Sequence, residues 1–83
     1  MAKKIIGEVT HYFSNINVAV VKLSQNIKKG TKVSFEGSTT NFEQALDSMQ
    51  IDRKDVAEAK KGQSIGVKVS DRVREGDKVF ILS

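Results

Sequence analysis

The sequence predicts an all-β fold: a small closed barrel of six or seven strands, formed by residues 1–83 as one domain. Three observations point there. Val, Ile and Phe recur in short alternating segments, which is the period of a half-buried strand. Glycines at 7, 30, 37, 62, 66 and 76 separate those segments, and proline is absent. At 83 residues, with no cysteine and one histidine, the chain has neither a large core nor a disulfide or metal cluster to reinforce a small one. Closing a sheet on itself is then economical, because it buries one face of every strand and leaves no open edge.

The first strand is expected from Lys4 to Phe13. Ile5, Gly7, Val9, His11 and Phe13 share one face, and Ile6, Glu8, Thr10 and Tyr12 the other. Ser14-Asn15 is a turn signal. The second strand covers Ile16 to Leu23, with Ala19, Val21 and Leu23 inward and Val18 and Val20 outward. The third is Thr31 to Glu36, with Val33 and Phe35 inward, ended by Gly37-Ser38. The fourth runs from Thr39 to Ile51. Phe42 and Leu46 keep step there, whereas Met49 and Ile51 fall on the opposite phase, so a β-bulge is expected between them. Asp52 or Asp55 is expected to cap one helical turn carrying Val56 and Ala59, closed by Gly62. The fifth strand, Ser64 to Val69, shows Ile65, Val67 and Val69 on one face, and the sixth, Lys78 to Leu82, closes the barrel.

Segment 24–35 resembles segment 70–81. Both read Ser, two polar residues, Ile or Val, a base, a polar residue, Gly, polar, Lys, Val, any residue, apolar. The physical reading is a loop ending in a turn whose glycine takes positive φ and feeds a strand. Ile27 and Val73 would plug the barrel ends, and Val33 and Val79 would be equivalent inward positions.

Four features in order carry a resemblance. They are Ile6-Gly7-Glu8-Val9, Ile27-Lys28-Lys29-Gly30, the run from Ala59 to Val69 around Gly62 and Gly66, and Val73-Arg74-Glu75-Gly76-Asp77. Together they resemble the second-domain β-barrel of elongation factor Tu and its relatives over nearly the whole chain. They are also similar to short stand-alone proteins with this barrel and to barrel appendages of some collagenase-like peptidases. The resemblance implies contact with ribosomal RNA, the ribosome or a transfer RNA. It does not bring nucleotide hydrolysis, since no Gly-x-x-x-x-Gly-Lys-Ser/Thr occurs. Nor does it bring the aminoacyl pocket, whose acid and amide positions fall on Ser48 and Ser64.

Candidate chemistry is sparse. His11 is read as a structural histidine at the barrel wall, because no nucleophile and orienting carboxylate accompany it in a recognisable arrangement. Asp52, Asp55 and Glu58 would share a helical face, but Arg53, Lys54, Lys60 and Lys61 interleave with them, so no metal site is expected. Among the aromatics, Phe35 reads as core, and Tyr12 and Phe42 as the candidates for exposure. The net charge of +4, from 14 Lys and Arg against 10 Asp and Glu, favours an acidic partner. The bases gather at corners: Lys28, Lys29 and Lys32 at one, Arg72, Arg74 and Lys78 at the other, and Lys60 and Lys61 beside Gly62. Converging, they would contact phosphates without reading sequence. The competing reading is a solvated surface balanced by Glu36, Asp71, Glu75 and Asp77.

The expectation is therefore a non-catalytic, cofactor-free module binding RNA or the ribosome through these corners. The alternative is an accessory module docking on a separately encoded enzyme such as a collagenase-like peptidase. The absence of cysteine, of a leader-like apolar stretch after Met1-Ala2-Lys3-Lys4 and of any long apolar run predicts a cytoplasmic protein with no membrane partner.

Overall fold

The computed structural model describes residues 3–38, 40–52 and 54–82. Ten strands follow one another along it: β1 (Lys3–Phe13), β2 (Val18–Leu23), β3 (Ile27–Lys28), β4 (Lys32–Glu36), β5 (Asn41–Ala45), β6 (Met49–Ile51), β7 (Lys54–Asp55), β8 (Glu58–Ala59), β9 (Ser64–Lys68) and β10 (Lys78–Leu82). The expected all-β class holds, with no helix among the described residues. Eight strands form one antiparallel sheet in the order β5-β4-β10-β1-β2-β9-β6-β7, and β3 pairs with β8 in a separate ribbon.

The alternating segments fold as their period requires. Ala19, Val21 and Leu23 of β2 and Ile65 and Val67 of β9 are buried, as are Val33 and Phe35 of β4 and Val79 of β10. Val9, Leu46, Met49, Val69 and Val73 join them in one apolar cluster. Strand β1 is the long central strand. It pairs with β10 through Lys3–Glu8 and with β2 through Gly7–Phe13, and its register shifts once in each ladder. The shift between Ile5 and Gly7 corrects the expected faces: Ile6 turns inward at 2% exposure, while Ile5 stands outward at 43%. Gly7 sits where strands crowd, and a β-carbon there would lie 2.7 Å from Val21 Cγ1 and 2.8 Å from the Lys22 carbonyl oxygen.

Three other expectations are corrected. The fourth predicted strand is two strands, β5 and β6. The chain leaves the sheet after Ala45, so Leu46 and Met49 both reach the core without a bulge. Its predicted start at Thr39 lies outside the described residues, as does Arg53. The helical turn is absent: Asp52 has φ of 52° in a tight turn, and Lys54–Asp55 returns antiparallel to β6. The sheet is also not closed into a barrel, since β5 and β7 are its two edges. The reason is local. β7 and β8 are two residues each, too short to carry a ladder across to β5. The end of β9 meets β5 through a side chain instead. Gln44 Nε2 donates to the Lys68 carbonyl at 2.8 Å, and Gln44 Oε1 accepts from the Ser70 amide at 2.8 Å and its hydroxyl at 3.1 Å.

Candidate functional site

The basic corners are built on one repeated device. Lys28-Lys29-Gly30-Thr31, Lys60-Lys61-Gly62-Gln63 and Arg74-Glu75-Gly76-Asp77 each fold as a type II turn. The fourth residue's amide donates to the first residue's carbonyl at 3.2, 3.1 and 3.1 Å, respectively. The glycines have φ of 89°, 90° and 92°, which a side chain would strain. Each glycine amide donates to a core residue's carbonyl: Leu46, Leu23 and Val9 in turn. The amide of that same core residue donates back to the carbonyl after the glycine. A buried apolar residue precedes each turn (Ile27, Ala59, Val73), and another follows two residues beyond it (Val33, Ile65, Val79). The two-copy similarity seen in the sequence is thus a three-copy structural repeat.

The first position of every copy is a base, and the structure places Lys28 and Lys60 on one cleft and Arg72 and Arg74 on another. Lys28 pairs across the β3–β8 ribbon with Glu58, and with Lys60 it lines a cleft of about 420 Å³. Arg72 and Arg74 line a different cleft of about 380 Å³, with Thr40, Asn41, Phe42 and Asp71. No residue lines both clefts. Lys29, Lys32 and Lys61 line neither, and the Lys61 amide donates to Asn26 Oδ1 at 2.9 Å. Lys78 Nζ is 2.9 Å from Glu8 Oε1. Charge was legible from the sequence, but its distribution depends on which turn faces which strand.

The apolar candidates also move. Tyr12 and Phe42 are half-buried against the core, and Phe42 stacks on Phe35 at 5.0 Å. The exposed large apolar residues among those described are Ile5 and, at the tip of the β1–β2 hairpin, Phe13 at 45% and Ile16 at 60%. Ile16 belongs to the turn, not to the second strand as expected. The tip is held in shape, with the Ile16 amide on the Phe13 carbonyl at 3.3 Å and the Tyr12 hydroxyl 3.2 Å from Asn17 Oδ1. Asn17 takes φ of 54°, and its carbonyl accepts from the Val69 amide at 2.8 Å. His11 is not a wall residue. It is exposed, its Nδ1 lies 3.2 Å from Glu75 Oε2, and its ring packs 4.5 Å from Phe13. Asp55 accepts from Gln50 Nε2 at 3.1 Å, so the three acids share no helical face.

No family model matches the chain. Over 78 residues, 93% of its length, it is 42% identical to an uncharacterized protease of Methanocaldococcus jannaschii. Over 80 residues it is 30% identical to a collagenase of Porphyromonas gingivalis. It spans only 19% and 22% of those proteins. Among solved structures it is similar to the C-terminal domain of a Geobacillus thermoleovorans protein assigned to the U32 peptidases. The TM-score is 0.89, at 19% identity, over 96% of this chain and 93% of that one. The selenomethionine form of that domain gives 0.86 at 22% identity, over 92% and 96%.

These similarities overturn the elongation-factor resemblance and the RNA-binding role drawn from it. Three of the four motifs behind that resemblance are the glycine corners, and the fourth, Ile6-Gly7-Glu8-Val9, lies within β1. The corner residues are demanded by turn geometry and hydrogen bonding to the core, and such demands are indifferent to what the surface binds. The positions matched to the aminoacyl pocket also lie apart: Ser48 lines a groove beside Gln44 and Ser70, and Ser64 pairs with Lys22 on β9. No helix among the described residues is long and apolar enough to cross a membrane.

Proposed function

We propose that this chain is a non-catalytic accessory module that docks on the catalytic portion of a U32-type peptidase, within one polypeptide or between two. The observation that carries the reading is the 42% identity of nearly the whole chain to one fifth of a protease. A segment that small, repeated at a similar share in a collagenase, fits an appendage on a larger body. The remaining four fifths of such a relative is the occupant that the exposed apolar tip fits. Phe13 and Ile16 stand on a hairpin braced by Tyr12, Asn17 and Val69, so burying them costs little ordering entropy. His11 and Glu75 flank the tip and suit a polar rim.

The test is a mixing experiment. The Methanocaldococcus relative is made without its matching segment, and this chain is added in trans. A complex is expected by size-exclusion chromatography. Phe13→Ser with Ile16→Ser should weaken it by about 10- to 100-fold, the scale of exposing two partly buried apolar side chains. Absence of a complex at high micromolar concentration would contradict the reading.

A further inference from the structure

The cleft of Arg72 and Arg74 has the chemistry of a carboxylate site. Residues 72–74 run past it between a bend at 70–71 and the turn at 74–77, with Val73 buried and Arg72 and Arg74 both exposed. Both guanidinium-bearing residues line the same concavity, and among the described residues neither forms an ion pair. The facing wall is the loop that enters β5, with buried Thr40, Asn41 and the half-buried Phe42, whose ring is fixed on Phe35.

The two walls are tied together. Asp77, 6% exposed, accepts the Arg74 amide on Oδ2 at 2.9 Å and packs against Gly37, whose missing side chain makes the approach possible. The Gly37 amide in turn donates to the Thr40 carbonyl at 2.7 Å. The backbone that carries Arg74 is therefore braced, and the two cationic donors share one concavity in which charge-assisted hydrogen bonds can select an oxyanion. Asp71 also lines the cleft, and its Oδ1 accepts from the Arg72 amide at 2.7 Å. Two guanidiniums and one carboxylate leave a single net positive charge. That balance suits a monoanion better than a dianionic phosphate or a polyanion.

We infer that this cleft binds the free C-terminal carboxylate of a peptide, with Phe42 forming the apolar wall for the terminal side chain. Arg72 and Arg74 lie outside the hairpin tip, so this site and the docking reading stand or fall separately. The experiment is fluorescence anisotropy with a dye-labelled tripeptide ending in leucine, measured with a free and an amidated C-terminus. Saturable binding of the free acid is expected, weakened at least about tenfold by amidation or by Arg72→Gln with Arg74→Gln, since each removes the charge-assisted pair. The single variants Arg72→Gln and Arg74→Gln should each fall between, with unchanged circular dichroism. Equal binding of the amidated peptide, indifference to the arginine variants, or no binding at millimolar protein would overturn the site. Inorganic phosphate competing better than acetate would overturn the carboxylate assignment.

Discussion

Gly30, Gly62 and Gly76 lie within a few degrees of one another in φ, and their amides make the same bond to the same kind of partner. Space does not require glycine there, because nothing lies within 4 Å of a β-carbon built at any of the three. Backbone sterics alone do. Gly76→Ala is expected to cost about 1–2 kcal/mol in a denaturant melt, the strain of an L-residue in the left-handed region. Gly37 is the opposite case. It has no positive φ, but a β-carbon there would collide with the Asp77 carboxylate. Asp77 is the costlier residue to lose. Asp77→Ala leaves the Arg74 amide without its side-chain acceptor and opens a gap beside Gly37. A loss of about 1–3 kcal/mol is expected by chemical denaturation.

At the scale of elements, what the sequence made legible follows from how far each strand can choose its own faces. β2 and β9 alternate cleanly because both lie inside the sheet with one side in the core. Their inward residues, Ala19, Val21, Leu23, Ile65 and Val67, were readable directly. β1 could not be read that way, since its two register shifts change the phase and neither carries a sequence signature. The strands β3, β7 and β8 are two residues each, and their pairing is set by tertiary contact rather than by local pattern. The third glycine corner was visible as base-x-Gly-polar at 60–63. It was missed as a copy because Ala59 replaces the branched residue before it and the upstream serine is absent.

The seam between β5 and β9 belongs to the same scale. The Gln44 amide stands where a ladder would otherwise run. Gln44→Ala should cost about 1–2 kcal/mol, as two or three net hydrogen bonds of modest value are lost. Hydrogen exchange should quicken at the Ser70 amide and remain slow in β1 and β2.

For the whole molecule, composition predicted the class but not the role. The excess of bases left open whether they converge; in the fold Lys28 and Lys60 line one cleft, Arg72 and Arg74 line another, and Lys78 pairs with Glu8. Three turns of one design brace the core at Leu46, Leu23 and Val9, which accounts for how so short a chain holds an open sheet without a disulfide. Rigid corners leave the hairpin tip as the most exposed apolar feature among the described residues, and Phe13 and Ile16 offer it to a partner.

The docking of that tip is best tested by amide-shift mapping of this chain, isotope-labelled, during titration with the Methanocaldococcus relative lacking its matching segment. Shifts should cluster at residues 11–18 and spare Arg72 and Arg74. Unchanged spectra through the titration, or shifts confined to the arginine cleft and the β3–β8 ribbon, would contradict the account.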